Sequence, residues 1–203
     1  MTLSGAIEVT ERTDGPSRQD WVVAGLRTLA ESGIDAVRVE RLAKTLGVSK
    51  GPFYWRFADR AELLAAMMEF WQRDFTIRLI EHSAPLQTPR ARLEELLNEA
   101  LAVKFGSIDV ARLEGALRAW AAHDDTVSRA VCEVDAQRIE YLAGELAAMG
   151  AAETQAKHLA RGIYLGLLGL FTARRYTPEV ADDEAYRIMV MMALDAAENG
   201  GSA

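Results

Sequence analysis

The chain has 203 residues, of which 50% are hydrophobic and 26% charged, so it can bury a core and has an ordinary globular composition. Its single cysteine, Cys132, excludes an intrachain disulfide, and its apolar surroundings predict a small buried side chain. The formal net charge of −7 argues by itself against a nucleic-acid partner. Because β-branched runs and prolines are scarce, we expect an all-α fold of about nine helices.

The N-terminal residues 1–16 are polar and show no helical period, which predicts a mobile arm. Ser17 and Asp20 then have the spacing of a capping box, in which each side chain satisfies a backbone N–H of the first turn. Apolar residues follow at helical spacing until Gly33. We therefore predict a first helix over about 18–32.

Three further helices follow in close succession. The apolar spacing predicts a short second helix at about 39–46, which ends at Gly47. Ser49 is the expected N-cap of a brief third helix at about 50–57. A longer fourth helix is predicted over about 60–82.

The remainder of the chain continues the helical pattern. Helices are expected at about 89–105, 109–122, 125–149, 152–175 and 182–198, and no segment has the pattern of a strand. The most apolar run, Gly162–Ala173, is too short to span a bilayer, and the first residues do not resemble a signal peptide. These features predict a cytoplasmic protein.

Positive charge is concentrated in one short segment. Residues 38–60 contain six basic and two acidic side chains, a local charge of +4 in a chain of net charge −7. Because salt screens distant charges, a DNA contact depends on the local charge more than on the total. The alternative is an ordinary solvated surface.

The third predicted helix contains an unusual set of side chains. Pro52 suits the first turn, where backbone N–H groups have no intrahelical acceptor and the positive end of the helix suits a phosphate. Phe53 and Phe57 are four residues apart and can both face inward. Tyr54 and Trp55 then face outward, beside basic side chains, as is typical of residues that read a major groove. The alternative is that both are half-buried packing residues.

Residues 39–67, VERLAKTLGVSKGPFYWRFADRAELLAAM, resemble the DNA-binding segment of the TetR family of bacterial transcriptional regulators. The preceding ESGIDAVRVE is similar to the end of the first helix in that family, and the likeness covers roughly residues 17–75. It implies a helix-turn-helix over 39–57 within a DNA-binding domain at 17–75. It also implies a helical effector-binding and dimerisation domain at 76–203.

The resemblance also implies which residues contact operator DNA. The expected contact residues are Arg38, Arg41, Lys44, Ser49, Lys50, Gly51, Pro52, Tyr54, Trp55 and Arg60. Among these, Arg60 is expected to hold a phosphate at the start of the fourth helix. Arg38 departs from the family pattern, since many relatives have a threonine there that caps the second helix.

In the second domain, the resemblance implies that the last two helices pair with their copies in a homodimer. The candidate interface residues are Tyr164, Leu167, Leu168, Phe171, Met189, Met192 and Ala193. A small-molecule effector would be bound by a pocket whose candidate lining residues are Met67, Trp71, Phe75, Leu101, Phe105, Trp120, His123 and Tyr141. Both sets also fit a plain hydrophobic core, apart from His123.

These features favour a ligand-responsive transcriptional repressor, without cofactor or metal, that binds a palindromic operator. One alternative is a helical DNA-binding regulator that a protein partner controls. A small enzyme centred on His123, Asp124 and Asp125 is another, but no metal-binding motif accompanies these residues.

Overall fold

The computed structural model describes residues 15–102 and 104–200. Of the predicted N-terminal arm, residues 1–14 lie outside the described residues. The described residues form two compact units. The first unit contains residues up to 75 together with 104–131, and the second contains Thr76–Ala102 together with residues 132–200. Residues 104–131 belong to the first unit, so the predicted division into domains at 17–75 and 76–203 stays a prediction.

The fold is all-α. The α-helices are α1 (Arg18–Ser32), α2 (Val39–Thr45), α3 (Gly51–Tyr54), α4 (Arg60–Gln72), α5 (Arg78–Ser83), α6 (Pro89–Leu101), α7 (Val110–Ala121), α8 (Asp125–Ala148), α9 (Glu153–Tyr176) and α10 (Asp183–Asn199). A 3₁₀ turn covers Ile34–Ala36, and a π-helical segment, Arg73–Ile77, joins α4 to α5 without a break. If this continuous stretch counts as one helix, the described residues contain nine helices, as the sequence predicts.

Two expectations about local structure are wrong. Lys104–Phe105 and Ile108–Asp109 form a two-stranded antiparallel hairpin, where the sequence analysis continues a helix to about 105. The turn of this hairpin contains Gly106 at φ 59°, a conformation that ends a helix. Cys132 is exposed on α8 and is not a core residue.

In the first unit, α1 packs against α4 and α7. The contact with α4 is close because Gly25 faces Met67, which is fully buried. A Cβ atom added at Gly25 would lie 2.6 Å from the Met67 sulfur. One turn further along α4, Trp71 donates from Nε1 to the buried Glu114 of α7 at 3.0 Å. These contacts hold α1 and α7 on α4.

In the second unit, α9 packs against α10, and α5 packs against α6. The buried Tyr186 of α10 donates from its hydroxyl to the backbone oxygen of Ile163 at 2.8 Å. Burial raises the pKa of Tyr186, so the phenol stays protonated and can keep donating. Arg174 joins α9 to two further elements, because it donates to the backbone oxygen of Leu101 and forms an ion pair with Asp183.

The crossing of α1 and α4 provides a stability test. Replacing Gly25 with alanine should destabilise the protein by about 1–3 kcal/mol, because the added methyl group overpacks a site filled by Met67. A suitable control is Gly144→Ala on α8, where an added Cβ meets nothing within 4 Å. This control should be neutral or stabilising by about 0.5–1 kcal/mol, since alanine favours a helix interior. Urea denaturation measures both, and equal stability of the two variants would contradict the close crossing.

Candidate nucleic-acid interface

A short turn separates α2 from α3. Gly47 has φ 70°, a conformation that suits glycine, and Val48 donates from its backbone N–H to the oxygen of Ala43 at 3.0 Å. Such a bond is typical of a helix C-terminus, so α2 stops here and the chain turns into α3. The two helices with their turn form the predicted helix-turn-helix.

A buried aromatic cluster holds α3 in place. Phe53 is fully buried, and its ring makes an edge contact with Trp21 of α1 at a centroid distance of 5.2 Å. Phe57 is also buried and stacks on Phe53 at 5.3 Å. The prediction that Phe53 and Phe57 face inward is confirmed.

The two residues between these phenylalanines that were predicted to face outward do so. Tyr54 is 58% exposed and Trp55 is 78% exposed. Burying such large rings is favourable, so their exposure in one short segment indicates a surface that meets a partner. The alternative that Tyr54 and Trp55 are half-buried packing residues is excluded within the first unit.

The segment that carries the exposed rings also exposes basic side chains. Arg41 and Lys44 on α2 are exposed, as are Arg38, Lys50 and Arg56. Arg38 occupies the N-cap position of α2 without a side-chain capping bond, and its Nε donates to the oxygen of Asp35. Arg41 donates to the Ser32 hydroxyl at 2.8 Å. We call the surface formed by residues 38–56 the basic surface.

Lys50 forms an ion pair within the basic surface. Its Nζ lies 3.0 Å from Glu40 Oε1, and both side chains are more than half exposed. The Glu40 carboxylate raises the pKa of Lys50. The pKa of Glu40 is lowered by a backbone hydrogen bond and then by Lys50. An exposed pair of this kind is weak and can rearrange.

Arg60 has a structural role that the sequence analysis did not foresee. Its Nε donates to the backbone oxygen of Val37 at 2.6 Å, and its Nη2 donates to that of Ile34 at 2.9 Å. The guanidinium therefore ties the start of α4 to the segment between α1 and α2. The expected phosphate contact of Arg60 stays a prediction.

The start of α3 also differs from expectation. Lys50, not Ser49, occupies the N-cap position, and it makes no side-chain capping bond. Pro52 lies in the first turn as predicted. Gly51 is exposed, and an added Cβ there would meet only the Ser49 hydroxyl, at an ordinary 3.7 Å. Since α3 has a single turn, its helix dipole is small.

Two residues that were not among the predicted site residues, Arg18 and Glu62, fix the end of α3. Arg18 of α1 donates from Nη1 to the backbone oxygen of Arg56 at 2.6 Å and to Glu62 Oε1 at 2.8 Å, and its guanidinium lies over the Phe57 ring. Glu62 of α4 also accepts from the backbone N–H of Ala58 at 2.6 Å. Local sequence patterns do not show such contacts, because Arg18 and Glu62 are 44 residues apart.

The candidate effector residues lie in both units. In the first unit, Met67, Trp71, Phe75 and Trp120 are buried, and Phe105 of the hairpin contacts Phe75 at a centroid distance of 4.6 Å. In the second unit, Leu101 is buried and the Tyr141 hydroxyl lies 3.3 Å from that of Ser83. Their role in a pocket stays a prediction.

His123 is exposed in the turn after α7. The neighbouring Asp124 accepts from the backbone N–H groups of Thr126 and Val127 and so caps the start of α8. This local capping accounts for the position of the aspartate.

The candidate interface residues divide by exposure. Tyr164 and Phe171 are buried within the second unit, and the Tyr164 hydroxyl donates to Asp135 at 2.6 Å. Met189 and Met192 of α10 are exposed. Leu167, Leu168 and Ala193 are half-buried. Two exposed apolar residues of the same helices, Leu165 and Ile188, were not among the candidates.

The N-terminal segment of the chain is similar to that of known regulatory proteins. The family described as bacterial regulatory proteins, tetR family, matches residues 22–75. The transcriptional regulator AcrR of Shigella flexneri is 26% identical over 93 residues, which are 45% of this chain and 43% of AcrR. The match thus spans less than half the length of that relative.

Solved structures share the whole fold. A transcriptional regulator from Rhodococcus sp. Rha1 has a TM-score of 0.71 at 18% identity, covering 91% of this chain and 97% of the other. A transcriptional regulator from Saccharomonospora viridis, in complex with choline, has a TM-score of 0.72 at 16% identity, covering 89% and 95%. The helix-turn-helix, with its exposed aromatic rings and basic side chains, lies within the segment that matches the family of bacterial regulatory proteins. Residues 22–75 are thus similar to the N-terminal segment of the TetR family.

The Arg18–Glu62 contact makes a prediction about pH. A backbone hydrogen bond from Ala58 and then Arg18 lower the pKa of Glu62 below its ordinary 4.5. The carboxylate therefore stabilises the folded state above pH 4.5, and this contribution is lost as the pH falls through the lowered folded-state pKa. Glu62→Gln should be less stable than the wild type near neutral pH, and the difference should shrink in acid.

Denaturant unfolding of both proteins at several pH values measures this difference. Glu69→Gln, at an exposed position on the same helix, is the matched control and should follow the wild type at every pH. A stability difference for Glu62→Gln that did not change with pH would contradict the role of the Glu62 charge.

Proposed function

We propose that the protein is a repressor that binds a palindromic operator as a homodimer and is released by a small molecule bound in the second domain. The observation that carries this proposal is the exposure of Tyr54 and Trp55 within the basic surface. Such a regulator works where the chromosome is, so we also propose a cytoplasmic location.

In the proposed complex, α3 enters the major groove. Tyr54 and Trp55 would contact base edges, thymine methyl groups or phosphate oxygens, and Lys50 would contact a phosphate or a guanine edge. Gly51 leaves room for the DNA backbone. The exposed bases of α2 would bind phosphates, as in other helix-turn-helix proteins.

The dimer would form through α9 and α10. Leu165 of α9 is 64% exposed, and Ile188 and Met192 of α10 are 53% and 66% exposed, so one protomer leaves apolar side chains uncovered on both helices. On α9, Gly162 and Gly169 flank Leu165, and an added Cβ at either would meet nothing within 4 Å. Close approach of a second copy would bury these residues. Two copies related by a two-fold axis would place two α3 helices in successive major grooves, about 34 Å apart.

Release by a small molecule is supported by the S. viridis relative, which was solved in complex with choline. An effector releases DNA only if it binds better to a conformation that fits the operator poorly. By linkage, operator DNA must then weaken effector binding by the same factor. The choline complex makes choline a reasonable first ligand for such a measurement.

DNA binding is tested with the region upstream of the chain's own gene. Tyr54→Ala should weaken binding by about 1–3 kcal/mol per half-site, or roughly 5- to 150-fold, if the ring reads a base. Fluorescence anisotropy with labelled duplexes measures the affinity. Tyr176→Ala replaces a tyrosine of similar exposure in the other unit and is the control, with unchanged affinity expected. Normal binding by Tyr54→Ala would remove this residue from the interface.

The same assay at several salt concentrations tests the basic surface. Affinity should fall as salt rises, and Lys44→Ala should reduce the slope of log affinity against log salt by about 1. An affinity that did not depend on salt would reject binding through phosphates.

The dimer proposal is tested by placing a charge on the exposed apolar residues. Leu165→Lys and Met192→Lys should each convert dimer to monomer, because a lysine would be desolvated at the centre of the interface. Sedimentation velocity measures the oligomeric state, with Leu86→Lys in the loop after α5 as a control that stays dimeric. A monomeric wild type at micromolar concentration, or dimeric variants, would overturn the assignment.

A further inference from the structure

Three side chains that can bind a metal ion converge between α5 and α6 in the second unit. They are His82 of α5 and Glu95 and Glu99 of α6, and their ligand atoms lie within 4.8 Å of one another. His82 Nε2 is 3.6 Å from Glu95 Oε1. Among residues 15–102 and 104–200, no other group of three histidine, cysteine or acidic side chains is this close.

Apart from His82, which lies 3.6 Å from Glu95, the two glutamates form no ion pair with a basic side chain among the described residues. On the same helix, Glu94 forms an ion pair with Arg90 at 2.9 Å. The carboxylates of Glu95 and Glu99, in contrast, have ligand atoms within 4.8 Å of each other and of the His82 imidazole. Two carboxylates held close together repel one another unless a positive charge lies between them. The site therefore has an excess of negative charge, which a divalent cation would neutralise.

The backbone geometry holds the three ligands together. Glu95 and Glu99 are four residues apart, so they share one face of α6. Residues 84–88 connect α5 to α6, and the two helices pack side by side, which brings His82 to that face. His82 is exposed, whereas both glutamates are half-buried. The site is thus open on one side to an incoming ion.

The distances are compatible with zinc. Bonds of about 2.0–2.2 Å in a tetrahedron place ligand atoms roughly 3.3–3.6 Å apart. The His82–Glu95 distance of 3.6 Å already falls at this limit, and the remaining atoms need only small side-chain rotations. One imidazole and two carboxylates leave a fourth position for water. Magnesium is disfavoured, since it prefers oxygen ligands alone.

We propose that His82, Glu95 and Glu99 form a binding site for a divalent transition metal of the zinc class. The bound ion links α5 to α6 and stabilises the second unit. This site has no role in the DNA contact described above, so failure of either proposal leaves the other intact.

The test uses the full chain, free of any affinity tag, with Zn²⁺ as the only ligand. Isothermal titration calorimetry should show one saturable Zn²⁺ site per chain, and Zn²⁺ should raise the melting temperature. His82→Ala and Glu99→Gln should each weaken binding roughly tenfold or more. Cobalt provides a second readout, because Co²⁺ in a four-coordinate site absorbs visible light and the two variants should lose that absorption.

Three controls separate this site from other metal-binding groups of the chain. His158→Ala, Cys132→Ser and Glu94→Gln replace an exposed histidine, the exposed cysteine and the paired neighbouring glutamate, and each should keep wild-type affinity. The proposal is overturned if the wild type binds no Zn²⁺ stoichiometrically. It is also overturned if both His82→Ala and Glu99→Gln bind Zn²⁺ as tightly as the wild type. Circular dichroism verifies that each variant is folded.

Discussion

The burial of Phe53 is the interaction on which the rest of the proposed DNA-binding surface depends. A single turn of helix is not stable by itself in water, so α3 needs tertiary contacts to keep its shape. Phe53 supplies them by packing between Trp21 and Phe57, while Arg18 and Glu62 fix the chain just after α3. Because Phe53 points inward, its neighbours Tyr54 and Trp55 must point outward. The hydrophobic core thus determines which aromatic rings are presented.

Much of the fold could be predicted from the sequence, because amphipathic helices are recognisable from the spacing of their apolar residues and from their capping residues. Ser17 and Asp59 cap α1 and α4 as local patterns indicate. The hairpin that contains Phe105 could not be predicted, since two-residue strands are too short to show a period. The exposure of Cys132 was also missed, because an apolar neighbourhood in sequence does not reveal which face of α8 is covered.

The site was less predictable than the fold. The exposure of Tyr54 and Trp55 could be predicted from the spacing of Phe53 and Phe57, because all four residues lie within one or two turns of the chain. The role of Arg60 did not follow, because its acceptors, Ile34 and Val37, lie more than 20 residues away. Helix α9 is apolar around most of its circumference, so its sequence does not indicate which face is exposed. Leu165 was therefore not among the predicted interface residues. Long-range pairing is the information that a single sequence lacks.

The ion pair between Lys50 and Glu40 would affect how the proposed regulator searches a genome. To bind a phosphate of random DNA, Lys50 would have to give up the Glu40 carboxylate that is already in place. The exchange of one anion for another gains little free energy, so non-cognate sequences would hold the protein weakly. At a cognate site, the proposed contacts of Tyr54 and Trp55 would add to this free energy and favour DNA. Glu40 would thereby shorten the time that the protein spends on each non-cognate site.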